Sequence, residues 1–75
     1  MIATRFQVGD RVRVRARARI RTAPVPAGTP GTITRVYFSL ADIYDVAFDG
    51  YTRRWMTPGH LLEHDDEAQE RTAAG

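Results

Sequence analysis

The chain has no cysteine, no lysine, one tryptophan and no long apolar run. Without cysteine there are no disulfides, no Cys-based zinc sites and no thiol nucleophile. Without an apolar stretch of about 18–20 residues there is no helical membrane span. The opening MIATRFQVGD also lacks the apolar core of a signal peptide. The expectation is a soluble cytoplasmic protein that needs no membrane. Length sets a further limit. A chain of 75 residues makes one domain, and a domain of roughly 60 residues buries only about 60% of its unfolded surface. That leaves little room for a deep catalytic cavity.

The residues present are 43% hydrophobic and 27% charged, a globular and not a disordered balance. The net charge of +2 conceals a segregation. Residues 1–64 carry ten arginines against five acids, whereas residues 65–75 carry four acids and Arg71 alone. The reading is a folded domain over 1–64 followed by a flexible acidic tail over 65–75. All eleven basic residues are arginine, whose planar fork of donors suits carboxylate and phosphate. The same bias follows from a GC-rich genome.

Positions 11–21 place arginine at every odd number and Val12, Val14, Ala16, Ala18 and Ile20 between them. Strict period two puts the apolar set on one face of a strand and would scatter it around a helix. Residues 11–21 are therefore expected to be a strand, with a bend where valine gives way to the smaller alanines. Thr22 to Gly31 holds three prolines and two glycines and reads as a loop. Further strands are expected over Thr32–Ser39, Ile43–Phe48 and Tyr51–Met56, the last two joined by the hairpin dipeptide Asp49-Gly50. His60–Glu63 reads as a 3₁₀ turn or a short last strand. Four or five short strands in about 60 residues suggest an all-β protein, a small antiparallel barrel whose closure removes exposed edges. Val12, Val14, Ile33, Val36, Val46, Phe48 and Leu61 would fill it, with Phe6, Tyr44 and Trp55 near its ends.

Gly9-Asp10-Arg11-Val12-Arg13-Val14, Gly31-Thr32-Ile33 with Val36, Tyr44-Asp45-Val46-Ala47-Phe48-Asp49 and Leu61-Leu62-Glu63 together resemble the SH3-like barrels of the electron-transport accessory superfamily. That group includes PsaE-type photosystem subunits, the variable chain of ferredoxin–thioredoxin reductase and the C-terminal domain of the nitrile hydratase β subunit. The resemblance spans residues 6–63. It implies an SH3-like barrel and an accessory role beside a larger redox or metal-bearing subunit, with no cofactor of its own. KOW and Tudor-like modules share the same strand openings. The chain is also similar to type II, plasmid-borne dihydrofolate reductases, in which four barrels surround one pore. Arg54-Trp55-Met56-Thr57 stands where that family has Val-Gln-Ile-Tyr before its proline, so its site residues do not carry over.

Alternate side chains on a strand repeat every ~6.6–6.8 Å, which lets guanidinium groups follow a phosphate backbone. Tyr37, Phe38, Tyr51 and Trp55 can add stacking surfaces. Charges on an edge strand also prevent edge-to-edge pairing, which needs no ligand. His60 and His64 are four apart, but Pro58-Gly59 precedes them and no metal site is expected. Tyr51, Arg53 and Trp55 share parity, so they form either an exposed stripe rich in hot-spot residue types or part of the core. The expected function is a non-catalytic module, monomeric or a small homo-oligomer, that docks on a larger protein. Its binding residues would be Arg11, Arg13, Arg15, Arg17, Arg19, Arg21, Tyr51, Arg53 and Trp55. Nucleic-acid binding of KOW or Tudor-like type is the alternative, and an oligomeric reductase-like enzyme the third reading. The acidic tail is expected to fray.

Overall fold

The computed structural model describes residues 4–18, 20, 24–39 and 42–65. The fold is all-β. Its strands are β1 (Arg11–Val14), β2 (Pro30–Val36), β3 (Ile43–Phe48), β4 (Arg54–Pro58) and β5 (Leu62–His64), with a 3₁₀ turn over Gly59–Leu61. All pairings are antiparallel, in the order β4-β3-β2-β1-β5. β4 and β5 are thus the two edges of one sheet. Laid flat, those edges would lie about 19 Å apart at ~4.8 Å per strand. A three-residue 3₁₀ turn advances only about 6 Å, so the sheet must curl to bring the end of β4 beside the start of β5. The result is the expected small barrel. No helix among the described residues is long and apolar enough to cross a membrane.

Inside lie Phe6, Val12, Val14, Ile20, Val25, Ile33, Tyr44, Val46, Phe48 and Leu62. Alternation places them there: even residues of β3 are buried while Ile43, Asp45 and Ala47 face outward. Trp55 and Thr57 point inward from β4, with Thr57 fully buried and Trp55 half-buried against the core. Two expectations shift. Leu62, not Leu61, is the fully buried member of its pair, and Val36 is only partly buried. Tyr44 is wholly buried, and its hydroxyl serves the backbone. It accepts the N–H groups of Arg5 (2.9 Å) and Phe6 (3.3 Å) and donates to Asp42 Oδ1 (3.1 Å), clamping the segment that precedes β1. Phe6 meets the Tyr44 ring edge-on at 5.3 Å.

The longest expected strand is corrected. β1 ends at Val14 instead of continuing through Arg21, and Arg15 to Ala18 form a turn in which Arg17 has a φ of 68°. Beyond Val14 the apolar positions become alanines, which bury little area and have weak strand preference. The chain gains more by turning, because the loop then drops Ile20 and Val25 into the core. Arg19 and Arg21 lie outside the described residues. β2 starts earlier than expected, with Pro30 as its first residue, a position where the missing N–H is tolerated. β4 begins at Arg54, later than expected, because Asp49-Gly50 continues into a wider turn closed by the Tyr51 N–H on Phe48 O.

Gly31 stands opposite Phe48 in the β2–β3 ladder, against the β3 backbone. A Cβ there would lie 2.9 Å from the Ala47 carbonyl oxygen and 2.9 Å from Val46 Cγ1, so only glycine fits. The packed chain runs one residue into the segment assigned to the tail: Asp65 is buried and its N–H bonds to Arg11 O. The remainder of the expected tail, 66–75, lies outside the described residues.

Candidate docking surface at the arginine-bearing end

Strand register decides where the arginines go. Arg13 pairs with Pro30, Gly31 with Phe48 and Ala47 with Arg54, so β1 and β3 finish where β2 and β4 begin. The loop after β1 and the turn after β3 therefore share one end of the barrel. Two hydrogen bonds tie them together: Asp49 N donates to Pro30 O (2.9 Å), and the Tyr51 hydroxyl donates to Pro24 O (2.8 Å). Arg13, Arg15, Arg17, Arg53 and Arg54 all belong to this end.

The arginines on β1 itself are engaged by the protein's own acids. Arg11 grips Asp49 through two nitrogens, at 3.0 and 2.6 Å, and also donates to Thr32 Oγ1 at 2.8 Å. Its hydrogen bond to Asp49 raises the guanidinium pKa further, and the same bond holds the Asp49 carboxyl below its ordinary value. Arg13 Nε donates to Glu63 Oε1 at 3.1 Å, linking β1 to β5. Both pairs are substantially exposed, so each contributes on the order of 0–1 kcal/mol. They secure the neighbours of β1 and leave its outward face close to neutral.

The loop and turn arginines differ. Arg15, Arg17, Arg53 and Arg54 are exposed, and among the described residues none has an acid within ion-pair distance. Arg53 lies over the Trp55 ring, 4.6 Å from its centroid. Trp55 joins both of its expected environments, with its body on the core and one face beneath a cation. Its buried Nε1–H has no acceptor among the described residues. Tyr51 is half-buried and used as a pin. A recess of about 330 Å³, lined by Arg13, Ala16, Ala27, Gly28 and Glu63 among others, opens beside the same loop.

Arg54 is not among the expected binding residues, although parity gives it an outward position whenever Trp55 faces the core. It shares a strand with Trp55 and faces the opposite way, outward beside Ala47. That alternation was the available signal. The pairing of Arg11 with Asp49 had none, because the two are 38 residues apart and meet only through the ladder. His60 sits in the 3₁₀ turn and His64 on β5, where its ring packs edge-on against Phe6 at 4.8 Å. No group of three or more potential metal ligands occurs among the described residues. Comparison of the chain with protein-family models, curated proteins and solved structures yields no match.

Proposed function

We propose that the protein is a non-catalytic binding module that docks an acidic surface of a larger protein through the arginine-bearing end of its barrel. The observation carrying this reading is the gathering of Arg15, Arg17, Arg53 and Arg54 at that end without acid partners among the described residues. Guanidinium groups are weakly hydrated and present fixed forks of donors, so pairing them with carboxylates carries a small desolvation cost. The half-buried Trp55 and Tyr51 beside them supply the aromatic anchors that binding surfaces favour. The accessory role that the family resemblance implies agrees with this surface. A phosphate-tracking ladder along residues 11–21 has lost its basis, since β1 spans four residues and its cations Arg11 and Arg13 hold Asp49 and Glu63. A protein partner is therefore favoured over nucleic acid.

Fluorescence anisotropy with a labelled decaglutamate peptide and a labelled oligothymidylate tests the proposal. At low salt the peptide is expected to bind, with affinity falling steeply as salt rises, because released counterions and screening dominate such contacts. Replacing Arg15, Arg17, Arg53 and Arg54 together by glutamate should abolish binding while the circular dichroism spectrum stays the same. Absence of binding to the peptide sinks the proposal. Much tighter binding of the oligonucleotide transfers the surface to nucleic acid.

A further inference from the structure

Away from the arginine-bearing end, two large apolar side chains stand in solvent on the same groove: Val8 at 64% exposure and Phe38 at 78%. The groove holds about 460 Å³ and is lined by Gln7, Val8, Thr34, Arg35, Val36 and Phe38 among others. Its volume lies within the range of roughly 300–1,000 Å³ typical of ligand sites.

Strand pairing creates it. The β1–β2 ladder stops at Arg11 opposite Thr32, and Ile33 then exchanges backbone bonds with Gly9 and Asp10. Beyond Ile33, β2 makes no backbone hydrogen bond to the Thr4–Val8 segment, and an irregularity between Ile33 and Arg35 turns the strand aside. The two chains diverge, and among the described residues no strand pairs with the second half of β2 along the groove. Arg35 stands on that edge. Its guanidinium lies 4.8 Å over the Tyr37 ring and has no acid partner among the described residues. Asp45, opposite Arg35 in the ladder, instead accepts the Tyr37 hydroxyl at 2.9 Å.

An open strand edge, two exposed apolar side chains and one cation without a carboxylate describe the complement of a particular ligand. We propose that the groove takes an extended peptide segment of a partner protein, one with apolar side chains and a single carboxylate. The segment adds along the free edge of β2, sets its apolar residues on Val8 and Phe38, and places its carboxylate on Arg35. A second copy of this chain is a poorer occupant, because a two-fold contact through the groove would bring two Arg35 guanidinium groups together. A nucleic-acid strand is poorer still, since it would bring a row of phosphates to the single Arg35 guanidinium at an end that also holds Asp10, Asp42 and Asp45. The assignment does not depend on the proposed role of the arginine-bearing end.

The probe is a capped octapeptide alternating leucine with threonine and carrying one central glutamate, compared with a counterpart carrying lysine there. Titrated into ¹⁵N-labelled protein, the glutamate peptide should shift the amides of Val8 and of Thr34 through Phe38. The lysine peptide should bind about tenfold more weakly, the scale of one charge-assisted hydrogen bond. Arg35→Gln should erase that difference, and Phe38→Ser should weaken both peptides; both side chains are exposed and neither holds the fold together. Absence of shifts at these amides overturns the assignment, as does discrimination that survives Arg35→Gln. Shifts confined to Arg15, Arg17 and Arg53 overturn it and point to the arginine-bearing end instead. Light scattering in which Phe38→Ser dissociates a dimer also overturns it, making the groove a self-interface.

Discussion

The two ends of this barrel carry charge in opposite ways. At the end where β1 begins, the acids are tied into the fold: Asp42 takes Arg5 at 3.3 Å and the Tyr44 hydroxyl, Asp10 accepts the Gln7 N–H at 2.9 Å, and Asp45 takes Tyr37. At the other end, Arg15, Arg17, Arg53 and Arg54 stand without such partners among the described residues. Charges that complete hydrogen bonds around a backbone clamp contribute to stability. Charges left in solvent contribute little to it and are available to a partner. The contrast separates residues that hold the fold from residues that can act outward, a distinction that net charge does not make.

The largest expected effect that would test the contrast lies at the acidic end. Tyr44→Phe removes a wholly buried hydroxyl that satisfies two backbone N–H groups and Asp42. Chemical denaturation should register a loss of about 1–3 kcal/mol, the cost of leaving buried polar groups unpaired. A change below the error of the fit would mean that the clamp is not structural.

A middle effect belongs to Asp49, which links β1 to the turn between β3 and β4. Its folded pKa is depressed by Arg11. The stability it contributes is therefore present above the ordinary aspartate range and is lost as pH falls through the lowered folded value. Asp49→Asn should remove up to about 1 kcal/mol near neutral pH, discounted for exposure. It should also flatten part of the decline in stability on acidification. An unchanged acid limb in denaturation curves collected from neutral to acid pH would contradict this.

The smallest effect is expected at the arginine-bearing end. Arg15→Glu with Arg17→Glu should alter unfolding free energy by less than about 0.5 kcal/mol per substitution. The same pair should still weaken decaglutamate binding. A large loss of stability would show that these arginines hold the loop, and the contrast between the two ends would collapse.

Much of the fold was legible in the chain because its signals are local. The alternation in Ile43–Phe48 and the Asp49-Gly50 turn needed no tertiary information, nor did the proline-rich loop. The alternation over residues 11–21 was equally strict and yet misleading after Val14. Period two states which residues can share a face, but not whether extension buries enough area to be worth keeping. Ala16 and Ala18 offered too little, whereas folding the loop inward buried Ile20 and Val25. Trp55 could not be assigned from its parity alone, since an inward-facing indole can still present one side to Arg53. Of the candidate site, the arginines were visible but their roles were not, because Asp49 and Glu63 reach Arg11 and Arg13 only across the sheet.

By itself the sequence determined an all-β chain of short antiparallel strands and the faces that most of them bury, since apolar periodicity and turn chemistry act over a few neighbouring residues. The tertiary structure alone decided which arginines are matched by acids, that the strand gives way to a turn over Arg15–Ala18, and that an edge of β2 left unpaired among the described residues adjoins Val8 and Phe38. Those outcomes depend on strand register and on competition for buried area between segments far apart in the chain, and no local pattern encodes either.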